Sequence, residues 1–438
     1  MINRFKLTAF GLFLTFSGVA QEVEFTEYDL DNGLHVILHQ DNTAPVVTTS
    51  VMYDVGGKDR INGKTGFAHF FEHLLFEGTK NIGNGDWFKI VSSNGGRNNA
   101  NTSNDRTYYY EVFPSNNLEL GLWMESERML HPVIGQQGVD TQNEVVKEER
   151  RMRYDNTPYG NIINEIFANL FEKHPYKDPN VGYMEDLDAA TLEEFQQFFE
   201  IYYKPNNATL VVAGDIDIEK TKKMIQDYFG PIPSGEEVTR NFPEESPITE
   251  TIEATAYDAN IQIPGILLGY RTPAMTERDA YVLDMISSVL SDGKSSRLYK
   301  KLVDDQKQAL EVAAINLGQK EYGTYVIFAL PLGDTTLETL TQEIDEEIVK
   351  LQTELISQRE YEKLQNIFEN RFVSSNSSIE GIAGSLATYN MLYGDTNLIN
   401  ETIDIYRSIT REEIREVAKK YLNPNQRMEL KYLPKPVQ

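Results

Sequence analysis

The 438-residue sequence predicts an α+β fold made of two homologous domains, each with helices packed on a largely antiparallel sheet. Three observations predict it. The chain is too long for one ordinary core. Strand-like and helix-like stretches mix with too few strict βα alternations for a doubly wound sheet. Finally, the sequence repeats itself: Thr191, Glu193, Glu194, Tyr202, Pro205 and Asn206 match Thr410, Glu412, Glu413, Tyr421, Pro424 and Asn425 at a constant offset of 219, half the chain.

The elements follow in order. Residues 1–20 carry Arg4 and Lys6, an apolar stretch from Leu7 and small residues at Gly18 and Ala20, the layout of a secretory signal peptide. "GLHVILHQDN" (33–42), "PVVTTSVMYDVGG" (45–57) and "TYYYEVF" (107–113) alternate as strands do, whereas residues 65–77 and 136–154 read as helices. Each copy of the repeat is a capped amphipathic helix, Thr followed by Glu three positions on, with a Pro-Asn turn and a strand after it. "GPIPSGEEVTRNFPEESPITE" (230–250) is rich in Pro and Glu, as a linker is. The expected organisation is therefore signal peptide 1–20, a first domain 21–232, a linker 233–250 and a second domain 251–438.

Composition narrows the function. A net charge of -26 disfavours nucleic acid, whose phosphates would be repelled. No stretch beyond the N-terminus is long and apolar enough for stable membrane insertion, and the absence of cysteine removes disulfides and thioether lipid anchors. The expected location is periplasmic or secreted.

The densest chemistry lies in "HFFEHLLFEG" (69–78), which sets His69, Glu72 and His73 in a run of Phe and Leu. On a helix, positions i and i+4 project from one face, so both histidines can reach a single ion. A carboxylate among so many apolar neighbours is costly without a metal or partner. A structural zinc site takes four protein ligands and a catalytic one three plus water, so one more ligand is needed. Residues 142–156 offer adjacent Glu148 and Glu149. Reading Val145, Glu149 and Met152 as the apolar stripe, and Thr141, Glu144, Glu148 and Arg151 as the solvated face, points Glu149 inward. His35 and His39 lie on an alternating strand, and His131 and His174 precede prolines, so none of the four is assigned to the metal.

These residues resemble the inverted-motif zinc peptidases: pitrilysin, insulin-degrading enzyme and the mitochondrial processing peptidase. "HFFEH" supplies the pattern His-x-x-Glu-His, and Glu149 follows His73 by 76 positions, the family's spacing to its third ligand. The likeness extends through "NGLHVILHQDN", "NNANTSNDRTYYY" and "LSDGKSSRLYKKL" and covers the sequence after residue 20. It implies one Zn²⁺ per chain on His69, His73 and Glu149, with Glu72 as general base on a zinc-activated water and extended peptides as substrates. In the second half Asp284, Ser287 and Ser288 replace His69, Glu72 and His73, hence one metal only. "NNANTS" reads from composition as readily as a polar turn. The resemblance makes it an edge strand whose Asn99, Ala100, Asn101 and Thr102 recruit substrate through main-chain hydrogen bonds.

Departures from the family pattern shape the expected partners. Where the family often has a glutamate seven positions before the third ligand, this sequence has Gln142, so support of the metal there would come by hydrogen bond and not by charge. The Arg and Tyr that hold the substrate carbonyl in self-sufficient members are Val303 and Leu310 here. A homologous partner subunit supplying that pair is implied, with a homodimer using Arg297 or Tyr299 as the fallback. Two rivals stand against a peptidase. "GGKDRINGKTG" (56–66) resembles a phosphate-binding loop, but Lys58 occupies the place of its first glycine. A non-catalytic scaffold subunit of the same fold would not need the intact ligand set.

Overall fold

The computed structural model describes residues 22–436, so the expected signal peptide lies outside the described residues. The first half runs β1 (Thr26–Asp29), β2 (His35–Gln40), β3 (Val46–Tyr53), α1 (Phe67–Leu74), α2 (Trp87–Ser93), β4 (Arg97–Thr102), β5 (Thr107–Pro114), α3 (Leu118–Leu130), α4 (Gln136–Arg150), α5 (Ile162–Leu170), α6 (Met184–Ala189), α7 (Leu192–Tyr202), β6 (Ala208–Gly214) and α8 (Ile218–Phe229). The second runs β7 (Ile252–Asp258), β8 (Gly265–Thr272), α9 (Arg278–Ser291), β9 (Ala309–Leu317), β10 (Gly323–Pro331), α10 (Leu337–Thr353), α11 (Gln358–Ser375), α12 (Ile379–Thr388), α13 (Leu398–Ser408), α14 (Arg411–Tyr421) and β11 (Met428–Pro434). No described helix is long and apolar enough to cross a membrane.

The two sheets have the same topology. Strand order is β1-β2-β6-β3-β5-β4 in the first and β7-β11-β8-β10-β9 in the second, so removing β1 makes the orders equivalent. In each, one pair is parallel (β2 with β6, β7 with β11) and the remaining core pairs are antiparallel. The repeat detected in the sequence is α7–β6 and α14–β11. Thr191 and Thr410 both form reciprocal capping boxes, with Glu194 and Glu413 respectively.

Strand alternation gives each sheet two apolar faces, and the second face explains how the halves join. In the first sheet Val36 and Leu38 face the cluster under α1, α3, α7 and α8, while Ile37, Met52, Val211 and Ala213 face the other way. That other face is covered by Ile382, Ala383, Leu386 and Ala387 of α12, from the second half. The second sheet is treated reciprocally: its rear residues Leu267, Val326, Leu430 and Tyr432 pack on Ile166, Phe167 and Leu170 of α5, from the first half. Each half thus lends a helix to the other's core, which the linear division at 233–250 does not express.

That linking segment contains neither helix nor strand between residues 233 and 250. It is nevertheless held to both halves. Arg240 pairs with Asp59 at 2.7 Å and Asp54 at 3.1 Å, and Glu245 accepts the backbone N–H of Lys173 and His174, each at 2.7 Å, while approaching Arg271 at 3.3 Å.

Candidate metal centre

Helix α1 begins after Gly66, whose φ of +85° and close approach to Gly182 (an added Cβ would stand 2.8 Å from its Cα) leave no room for a side chain. From there Phe67, Phe70 and Phe71 stack against Phe195 and Phe198 of α7, and Tyr109 of β5 donates to the carbonyl of Phe71 at 3.0 Å. The aromatic faces anchor α1, and its remaining face carries His69, Glu72 and His73.

That face meets α4. Glu149 Oε2 lies 3.0 Å from His73 Nε2 and 3.6 Å from His69 Nε2, and one ligand atom from each of the three residues falls within 4.8 Å of the others. Ligand atoms about 2.0–2.1 Å from a tetrahedral zinc stand about 3.3 Å from one another. Two imidazole nitrogens and a carboxylate oxygen at these separations fit that ion in number, type and spacing. The hydrogen bonds of His69 and His73 hold the Glu149 carboxyl well below the usual carboxylate range, so it is an anion ready to ligate. Its other oxygen, Oε1, pairs with Arg153 at 2.8 Å.

Glu149 faces the histidines, but the stripe used to predict that orientation is corrected. Val145 and Met152 are exposed, at 43% and 64%, and the inward residues of α4 are Val139 and Val146. The helix also ends sooner than read, passing at Arg151–Asp155 into a π-helical turn. Glu148 is exposed and pairs with Arg151 at 3.0 Å. Gln142 donates to Glu77 at the end of the HFFEHLLFEG segment and not to any of the three clustered residues.

"NNANTS" is strand, not turn: β4 is the outermost strand of the first sheet, beside β5, with Asn99 and Asn101 exposed and Ala100 and Thr102 half-buried. The Thr102 hydroxyl donates to Glu72 Oε2 at 2.6 Å. Sequence gave no signal for this contact, since it arises from the packing of β4 beside α1. Asn101 and Arg106, near the end of β4, border a cavity of about 890 Å³ whose far wall includes Asp284, Ser288, Arg371 and Tyr406 of the second half. The other histidines are accounted for elsewhere. His35 pairs with Asp29 at 2.8 Å and His39 bonds the Glu24 carbonyl at 2.7 Å. His131 pairs with Glu127 at 3.2 Å, and His174 is buried among Tyr176, Phe242 and Tyr322, burial pushing its imidazole down to about 4.

Two α+β halves of one topology, with a His-His-Glu cluster in the first alone among the described residues, define a pseudo-symmetric fold with one metal-type centre. The chain belongs to peptidase family M16. The family description "Insulinase (Peptidase family M16)" matches residues 35–182, and "Peptidase M16 inactive domain" matches residues 189–368. It is 30% identical to the zinc protease PqqE of Helicobacter pylori, over 91% of this chain and 90% of that one. The crystal structure of a protease from Helicobacter pylori superposes with a TM-score of 0.89 at 29% identity, covering 94% of this chain and all of that chain. The periplasmic protease PqqL of Escherichia coli shares the fold at 19% identity and TM-score 0.76, with 94% of this chain matched to 48% of that one.

Proposed function

We propose that this chain is a zinc-dependent endopeptidase, binding one Zn²⁺ on His69, His73 and Glu149 and hydrolysing extended peptides with Glu72 as general base. The observation that carries the reading is the meeting of those three side chains on α1 and α4, with Glu72 one residue from a ligand and β4 alongside. Zinc held there supplies a Lewis acid that polarises the scissile carbonyl and lowers the pKa of water to about 7. Glu72 takes the proton released as water attacks and delivers it to the leaving amine. The outer edge of β4 aligns the substrate main chain through Asn99 and Ala100, the Asn101 carbonyl being already bonded by Arg106 Nη1 at 2.8 Å, which favours extended, loosely specified segments.

The chain acts as the metal-bearing partner of a homologous subunit. Val303 packs against the second-half core and Leu310 is an apolar side chain 50% exposed on β9, so neither position offers a donor to a developing oxyanion. Arg297, the fallback donor, is engaged by Glu360 at 2.7 and 3.1 Å. The order of charge, apolar run and small residues at the N-terminus supports export to the periplasm or exterior.

Metal analysis of the purified chain and cleavage of a quenched peptide, alone and with candidate partners from the same cell extract, test the reading. Zinc near one per chain is expected, with Glu72→Gln retaining it while losing about 10²- to 10⁴-fold in turnover. A chain that takes up no zinc and cleaves nothing with any partner would be a scaffold instead.

A further inference from the structure

We propose that Thr102 is a positioning residue for Glu72, holding one carboxylate oxygen so that the other faces the reacting water; this rests on Glu72 being the general base. A base has two equivalent oxygens and a flexible side chain, and rotation between them misdirects the proton. The 2.6 Å bond from Thr102 Oγ1 ties Oε2, while Oε1 has no hydrogen-bond partner among the described residues. The proton passes from water to Oε1 and on to the departing nitrogen, while the Thr102 O–H bond stays intact.

The hydroxyl is itself preorganised. Thr102 ends β4 opposite Thr107, and its β-branched side chain has few rotamers. Its carbonyl accepts from Asn180 Nδ2 at 2.8 Å, and the turn that follows is closed by Ser103 N–H to the Arg106 carbonyl at 2.9 Å. The same turn is fixed from below: Gly57 N–H donates to the Ser103 carbonyl at 3.0 Å, and buried Asp105 accepts from Lys58 Nζ at 3.0 Å and from the Tyr176 hydroxyl at 2.5 Å. Alternation along β4 turns Asn99 and Asn101 outward and Ala100 and Thr102 inward. One strand therefore serves twice, its main chain at Asn99 and Ala100 offered to substrate and its Thr102 side chain given to the base. The sequence reading, which grouped Thr102 with Asn99, Ala100 and Asn101 as substrate-binding, is divided accordingly.

The test compares Thr102→Val, which keeps the shape and removes the donor, with Thr102→Ser, which keeps the donor. Both are made in the mature chain, assayed with its partner where activity requires one, and crystallised without added peptide. Expected are zinc near one per chain in both, a kcat loss of roughly 10- to 100-fold in Thr102→Val with KM within about twofold, and kcat in Thr102→Ser within about threefold of the parent. Crystals should show the Glu72 carboxylate displaced in the Val variant and retained in the Ser variant. Unchanged kcat in Thr102→Val, a loss confined to KM, equal loss in Thr102→Ser, or an unmoved Glu72 would each overturn the proposal. Absence of turnover in the zinc-loaded parent would instead remove the peptidase reading, leaving the carboxylate orientation to decide what Thr102 holds.

Discussion

Helices α1 and α9 hold the same place in two sheets of the same strand order, and they present opposite chemistry. On α1, His69 and His73 turn to an anion, Glu149, delivered by α4. On α9 the matching positions are Asp284 and Ser288, and the neighbouring helix α11 delivers a cation: Arg371 Nη1 donates to Ser288 Oγ at 3.3 Å and pairs through Nη2 with Asp292 at 2.6 Å. Asp284 is settled by Asn316 at 2.9 Å and the Tyr406 hydroxyl at 2.8 Å, burial holding its carboxyl above the usual range. The Ser287 hydroxyl bonds the Leu283 carbonyl within its own helix. Backbone topology thus permits a metal centre without requiring one; the side chains of two facing helices decide.

The largest effect should come from attacking that decision. Glu149→Gln removes the anion from the proposed zinc site and should cost more than about 100-fold in zinc affinity, beyond what losing an outer partner costs. Glu148→Gln, on the solvated side of α4, should leave affinity unchanged. The converse experiment, Asp284→His with Ser287→Glu and Ser288→His in one chain, should still yield one zinc, because the third ligand is missing and Arg371 occupies its approach. Competition titration with a chelator reads all of these, and a second zinc in the triple variant would mean that α9 alone sets the difference.

A middle-sized effect separates the two halves as units from the two halves as neighbours. Lys58, with its side chain buried, pairs with Asp105 of the first half at 3.0 Å and with Glu321 of the second at 2.8 Å, and Lys320 N–H donates to Asp105 at 3.0 Å. Lys58→Met leaves those carboxylates without their cation and should destabilise the chain by about 3–5 kcal/mol. Denaturant unfolding measures it. Loss of a single cooperative transition, with one half melting first, would show that this clasp and not the exchanged helices α5 and α12 joins the halves.

How much of this could be read in advance depended on range. The repeat was legible because capping boxes and a Pro-Asn turn are local signatures, and they hold at Thr191 and Thr410. His69, Glu72 and His73 were legible because helical periodicity alone puts them on neighbouring faces. Glu149 was selected with the wrong phase: α4 is so polar that Val145 and Val146 compete to define its stripe, and the buried one is Val146. Position 149, three residues beyond Val146, still turns toward α1. Contacts set by tertiary packing left no mark. Thr102 reaches Glu72 across a strand and a helix, Lys58 stood out only as a defect in a phosphate-loop pattern, and the reciprocal loan of α5 and α12 needs both sheets in place.

The smallest effect asks whether the halves are equal where the chemistry is absent. Thr191 and Thr410 each accept the N–H of the residue at the third helical position, at 3.3 and 3.1 Å, while Glu194 and Glu413 return a bond to the cap's own N–H at 2.9 and 2.8 Å. Each helix then feeds the strand, β6 or β11, that runs parallel to its sheet's first core strand. Removing either cap hydroxyl leaves one helix N–H without its partner, so Thr191→Ala and Thr410→Ala should each cost about 1 kcal/mol. Surroundings argue for one asymmetry: Glu194 also binds Asn62 at 2.9 Å and Lys64 at 2.7 Å, close to the start of α1, whereas Glu413 pairs with exposed Arg278 at 2.7 Å. Thr191→Ala should therefore be the costlier of the two by a few tenths of a kcal/mol, because loosening Glu194 also loosens the loop that enters α1. Equal midpoints in urea for the two variants would show that the cap is a local device in both halves, indifferent to the His-His-Glu cluster that, among the described residues, only the first of them builds.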